Sequence, residues 1–216
     1  MPRPELRQFT ATYSTRSDDS GAYVTGRPVV IGQETDLGFC REVIEPGALD
    51  NTNFDDVGLF VNHDDSKIPL ARSRRNNGNS TMQLTVDQDG LVIDAALDTE
   101  GNPDAAALYS AVSRGDITGM SFAFTISGEE WEGLETELPT RHITAIERIF
   151  EVSAVNQPAY PQTEITARDM PALDNARRSL DNAREQLALD SAANNLPEQK
   201  PKNYRVAALI VAKGRR

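Results

Sequence analysis

Between residues 8 and 155 the chain repeats one pattern: short stretches in which apolar and polar residues alternate, cut by turns rich in Gly, Pro, Asn and Asp. Alternation places successive side chains on opposite faces of a strand, so each stretch has one face to bury and needs a partner sheet. The stretches are QFTATYSTR at 8–16, AYVTGRPVVI at 22–31, VGLFVN at 57–62, STMQLTV at 80–86, LVIDAAL at 91–97, MSFAFTIS at 120–127 and HITAIERIFEVSAV at 142–155. The last holds one or two strands. Gly26 and Pro28 mark a bulge or an edge in the second, and DQDG between the fourth and fifth is a hairpin signal. DAAALYSAVSRG, opening at Asp104 after Pro103, spaces Leu108, Ala111 and Val112 on one helical face and has Gly115 as a stop. The acidic GEEWEGLETELPT at 128–140 reads as a loop. The sum is a mainly β domain with flanking helices, a closed or nearly closed barrel.

The character of the chain changes near residue 168. Residues 1–167 carry 12 basic and 27 acidic side chains, residues 168–216 carry 10 and 6. In the second part Leu173, Ala176, Leu180, Ala183 and Leu187 recur at three- and four-residue steps, a heptad-like seam too short to stand alone. We therefore divide the chain into a domain at 1–167 and a helical and linker tail at 168–216. The tail ends in the apolar, basic-tipped YRVAALIVAKGRR, and we expect it to bind a partner or a second copy, or to be removed. An acidic body repels phosphate backbones, which argues against nucleic acid. No apolar run reaches the roughly 20 residues of a membrane span, and MPRPELRQFTATYS lacks an apolar leader core. The single cysteine, Cys40, excludes an intrachain disulfide and a cysteine zinc cluster.

Two histidines, His63 and His142, narrow the search for acid–base chemistry. His63, in LFVNHDD, stands where an apolar strand meets a polar turn, a rigid yet accessible place for a general base. The ordinary alternative is a turn histidine bonded to Asp64 or Asp65. A metal site on His63, Asp64 and Asp65 is disfavoured because three adjacent residues of an extended chain do not converge on one ion. Ser121, in GDITGMSFAF, follows the flexible Gly119 and is a candidate nucleophile or a plain strand serine. Glu151 shares a strand face with Ile149, Ser153 and Val155. It either faces solvent or orients an imidazole. Ser153 is a rival nucleophile, and His142 a rival third member.

Several segments in order resemble the prohead proteases of tailed phages: FCREVIEPGALD at 39–50, VGLFVNHDDSKIPLARS at 57–73, DGLVIDAALD at 89–98, GDITGMSFAF at 115–124 and IFEVSAVNQPAYPQTEI at 149–165. That family is similar in fold to the herpesvirus assembly proteases, an antiparallel β-barrel with surrounding helices and a Ser-His-His triad. The resemblance implies His63 as general base, Ser121 as nucleophile and Glu151 as the orienting third residue, with no cofactor or metal. The arginines that assist the oxyanion in the herpesvirus enzymes are replaced here by NQPAY, which leaves backbone N–H groups near Asn156 and Gln157 as candidate donors. The implied activity is a serine endopeptidase that cuts major capsid protein or scaffold protein, and itself, inside the assembling prohead in the host cytoplasm, with a homo-oligomer as a further option. The alternative is an inactive scaffold or assembly-binding protein on the same fold.

Overall fold

The computed structural model describes residues 4–10, 13–18, 21–156 and 170–194. Eleven strands and two helices follow in the order β1 (Glu5–Thr10), β2 (Ser14–Asp18), β3 (Gly21–Val30), β4 (Thr35–Asp36), β5 (Arg41–Ile44), β6 (Asp56–Val61), β7 (Ala71–Arg74), β8 (Met82–Asp87), β9 (Gly90–Leu97), α1 (Pro103–Arg114), β10 (Gly119–Glu132), β11 (Thr140–Val155) and α2 (Met170–Asn194). The mainly β class is as expected. The closed antiparallel barrel is not what these strands build. They divide into a seven-stranded sheet along β1-β10-β11-β5-β4, with β6 and β7 branching from β11, and a four-stranded sheet in the order β2-β3-β9-β8. The larger sheet is mixed, because β11 runs parallel to both β5 and β6.

The core fills the space between the two sheets. Val24, Val29, Leu91, Ile93 and Ala95 come from the smaller sheet, and Met120, Phe122, Phe124, Ile149, Val152 and Ala154 from the larger. Phe122 stacks between Phe9 and Phe124, with ring centroids 6.2 and 4.6 Å away. The bulge signalled by Gly26 and Pro28 is present as a break in register between Gly26 and Val29 opposite β9. The β8–β9 hairpin closes at Asp87 opposite Gly90. Gly90 has φ +134°, and a Cβ there would lie 2.0 Å from the Val29 carbonyl oxygen, so no other residue fits. Helix α1 starts where Asn102 accepts from the Asp104 and Ala105 N–H groups and stops at left-handed Gly115. The acidic stretch after residue 128 is not all loop: β10 continues to Glu132, held to β11 through several register shifts.

Two features of the larger sheet were not expected. A buried charge cluster ties four strands together. Arg7 of β1 bonds Glu5 at 2.6 Å and Glu42 of β5 at 2.5 Å. Arg141 of β11 bonds Glu5 at 2.8 Å, Glu42 at 2.9 Å and Glu129 of β10 at 2.6 Å. Burial pushes the Glu5 carboxyl up, and the Arg7 and Arg141 guanidiniums outweigh this, holding it below the ordinary carboxylate range. Helix α2 lies on the same sheet. Leu173, Ala176 and Leu180 are buried, Leu173 against Leu37 and Cys40. Ser179 accepts from the Trp131 indole N–H at 3.1 Å and donates to Glu129, and Arg184 donates to the Leu134 and Thr136 carbonyls at 3.0 Å. The seam is thus used by the chain itself over its first half, while Leu187 and Leu189 stay 43% and 57% exposed. Residues 195–216, with the YRVAALIVAKGRR segment, lie outside the described residues.

Two measurements check this packing. Leu173→Ala is expected to destabilise the fold by about 2–4 kcal/mol in denaturant titrations, because the leucine fills a closed contact between α2 and β4–β5; a change below about 0.5 kcal/mol means α2 is not docked. The Glu5 contribution is present above the unfolded carboxylate range and is lost as pH falls through the lower folded value. Glu5→Gln is therefore expected to be less stable than the parent at neutral pH, with the gap closing as pH falls through the lowered Glu5 value; a gap that widens on acidification contradicts the cluster.

Candidate active site

Strand β6 pairs in parallel with the end of β11, Gly58 opposite Glu151 and Phe60 opposite Ser153. Gly58 leaves room for the Phe60 ring, which a Cβ would meet at 2.7 Å. Beyond β6 the chain turns sharply. Asn62 and His63 both have left-handed backbone, φ 52° and 58°, a conformation that costs a non-glycine residue about 1–2 kcal/mol. Three hydrogen bonds to β11 and its end hold the turn. The Asn62 N–H donates to the Ala154 carbonyl at 2.9 Å, the His63 N–H to Ser153 Oγ at 3.1 Å, and the Asn156 N–H to Asn62 Oδ1 at 3.1 Å.

This turn aims the His63 ring at Glu151. Nδ1 hydrogen-bonds Glu151 Oε1, and the two side chains are only 18% and 14% exposed. Ser153 Oγ donates to the other carboxylate oxygen, Oε2, at 2.7 Å. One serine hydroxyl thus fixes both the carboxylate and the backbone of the histidine that the carboxylate orients. In a neutral ring the Nδ1 proton belongs to this bond, so Nε2 carries the lone pair. Nε2 is buried and has no hydrogen-bond partner among the described residues.

Ser121 stands one strand further along. It faces Ser153 in the antiparallel register of β10 with β11, and on its other side Gln8 of β1. Directly opposed residues share a sheet face, so Ser121, Ser153 with Glu151, and the His63 turn lie in sequence across β10, β11 and β6. The Ser121 hydroxyl does not bond His63 in this structure. It is fully buried and donates to the Arg7 carbonyl of β1 at 2.9 Å.

The other sequence candidates fall elsewhere. His142 lies at the opposite end of β11, nine positions from Glu151, which at about 3.3 Å per residue is roughly 30 Å. There Nδ1 bonds Glu45 at 2.6 Å and Nε2 lies 3.4 Å from Glu132. The bond to Glu45, more than offsetting desolvation, raises its pKa above the ordinary imidazole value. Among the described residues no three His, Cys, Asp or Glu side chains converge as metal ligands. Burial pushes the Cys40 thiol up to about 12, which keeps it protonated and a poor nucleophile. Of the two backbone oxyanion candidates, Asn156 N–H is committed to Asn62 and Gln157 is outside the described residues. Sequence reading missed the bridging part of Ser153 and the anchoring of Asn62. The period-two spacing of Glu151 and Ser153 was the available signal for the first.

Comparison with known proteins bears on what this arrangement is for. Residues 11–176 match the family described as caudovirus prohead serine protease. Over 130 residues the chain is 29% identical to the prohead protease of Enterobacteria phage HK97, covering 58% of this chain and 52% of that protein. The chain thus spans about half the length of that curated relative. No solved structure matches, and no described helix is long and apolar enough to cross a membrane. The family match takes in most of the chain, including His63, Ser121 and Glu151, and on that extent the chain belongs to the caudovirus prohead serine protease family.

Proposed function

We propose that this chain is a capsid-maturation endopeptidase in which Ser121 is the nucleophile, His63 the general base and Glu151 the group that orients and stabilises the imidazolium. The observation that carries the reading is the His63–Glu151 hydrogen bond, which leaves a buried, unpartnered Nε2 on the face where Ser121 stands. In the reaction Ser121 Oγ attacks the scissile carbonyl carbon and its proton passes to Nε2. The tetrahedral adduct collapses, the C–N bond breaks, and Nε2 returns the proton to the leaving amine. Water then attacks the acyl-enzyme by the same relay, restoring the serine. Glu151 remains ionised throughout.

This chemistry requires the Ser121 hydroxyl to leave the Arg7 carbonyl. A turn about χ1 between staggered rotamers redirects it at the loss of one hydrogen bond, about 1 kcal/mol. The described state is then a resting one, with base and carboxylate assembled and the nucleophile turned aside. The substrates are the major capsid protein or scaffold segments enclosed with the enzyme in the assembling prohead, and the chain itself. A relation to the herpesvirus assembly-protease fold is retained here as an opened, two-sheet version of that barrel. The exposed outer half of α2, with Leu187 and Leu189, and the tail beyond it serve delivery to the assembly partners. The buried Ser121 hydroxyl is also what an inactive assembly-binding protein would show, and the same variants separate the two.

Incubation with capsid or scaffold protein, followed by mapping of new termini, is expected to show cleavage that Ser121→Ala abolishes with a stability change of about 1 kcal/mol. His63→Ala is expected to be equally inactive, and the double variant no worse than either. A folded, active Ser121→Ala protein removes the assignment and passes it to Ser153. Glu151→Gln should retain shape but lose on the order of 10²–10⁴ in kcat/KM. Ser153→Ala, which frees both the carboxylate and the His63 backbone, should lose on the order of 10² in kcat while a small fluorophosphonate still labels Ser121. Labelling that vanishes in Ser153→Ala but persists in Ser121→Ala reverses the two serines.

A further inference from the structure

Beside the His63 turn lies a cavity of about 230 Å³ whose apolar walls are Phe60, Val61, Leu70, Leu108, Ala111 and Ile117. Three of its edges belong to the segments that carry the proposed chemistry. Phe60 and Val61 end β6 immediately before Asn62 and His63, Asp64 follows His63, and Ile117 lies in the turn that leads into β10 and Ser121. The cavity therefore borders both the turn that carries His63 and the segment that leads into Ser121, and helix α1 closes its remaining side. At the rim Lys67 of the His63 loop and Asp104 at the start of α1 form a well-exposed pair at 3.0 Å. Ile68, beside them, is 83% exposed, an apolar side chain left in water at the mouth of an apolar hole.

We propose that this cavity is the side-chain pocket of the protease, receiving one large apolar residue, of leucine or phenylalanine size, from the substrate segment next to the scissile bond. The inference rests on the catalytic reading above. The size suits one branched or aromatic side chain and is small for a separate ligand. The lining presents apolar carbon, with its charges at the rim, so selection is by burial and shape. A second copy of the chain is a poorer occupant, because a hollow of about 230 Å³ accepts a single protruding side chain, which an extended peptide supplies. Continuity with the His63 turn fixes where that peptide lies: a side chain seated here holds its own backbone against β6 and the turn, within a residue or two of the bond to be cut. Ile68 gains a partner only when the peptide is present, which gives the enzyme binding energy from a residue that does nothing for the free fold.

The test uses the full chain and peptides spanning a mapped cleavage site, varied one position at a time, with fluorophosphonate labelling of Ser121 as an independent readout. At one position flanking the scissile bond, leucine or phenylalanine is expected to give kcat/KM about 10- to 100-fold above glycine or alanine. Ala107→Phe, at an exposed α1 residue that lines the cavity, is expected to flatten that preference to less than about threefold while labelling continues. Ile68→Ser, also at an exposed position, should raise KM with kcat little changed. Should Ala107→Phe destabilise the helix, Ala111→Leu fills the same space from one turn further on. Labelling with an unchanged preference in both filled variants overturns the pocket alone. A parent protein that is never labelled and never cuts overturns the catalytic reading and the pocket with it.

Discussion

The parallel pairing of β6 with the last turn-length of β11 is the constraint on which the site depends. Parallel pairing sets Phe60 beside Ser153 and Gly58 beside Glu151, so the chain leaving β6 emerges next to the far end of β11. The left-handed Asn62–His63 step then folds the imidazole back over its neighbour. Two such residues together cost about 2–4 kcal/mol. The three hydrogen bonds that hold the step, at about 1 kcal/mol each, are of the same size. The turn is therefore a balanced device. Ser153 is one of its anchors and also bonds Glu151, so it holds both partners of the His63–Glu151 contact.

The Ser121 side of the site is held from the other edge of the same sheet. β1 is held against β10 by ladder bonds and by Arg7, whose guanidinium sits in the buried cluster with Glu5, Glu42 and Arg141. A buried cluster of this kind is strongly destabilised when one partner is lost, because the remaining charges have no water to turn to. It adds rigidity where the Arg7 carbonyl accepts the Ser121 proton. Glu129 extends the cluster to Ser179, so α2 is joined to it as well. Helix α2, strand β1 and Ser121 are thereby continuous through one network of ion pairs and hydrogen bonds.

How far the sequence disclosed this can be judged residue by residue. Strand alternation found β3, β8, β9 and the start of β10, and the opening of α1 beside Pro103 and its stop at Gly115 followed from apolar spacing and the glycine, while its Asn102 cap went unread. These are local signals, and local physics answers them. The single stretch read at 8–16 is two strands in different sheets, β1 and β2, because alternation states that a face must be buried and not against which sheet. The acidic run after 128 hides strand, since Glu129 and Trp131 are satisfied by Arg141 and Ser179 from elsewhere in the chain. At the site, His63 and Glu151 were identified by residue type and resemblance, and their meeting needed the β6–β11 pairing, which nothing near either residue encodes. The Ser121–Arg7 bond was invisible for the same reason.

The two halves of the site differ in how they are prepared, and the difference has a physical origin. His63 and Glu151 are hydrogen-bonded to each other, so burying them together satisfies the ring Nδ1 and the carboxylate at once, and under the proposed reading the same contact serves as an ion pair when the ring takes up a proton. A serine hydroxyl has no such double interest. Its one hydrogen bond here goes to the Arg7 carbonyl, a neutral bond worth about 1 kcal/mol. Under the catalytic reading proposed above, the Ser121 rotamer is the element at which the site changes between resting and active states. Under that reading the His63–Glu151 pair stays assembled while the Ser121 hydroxyl is turned aside, so the assembled pair does not commit the protein to continuous activity.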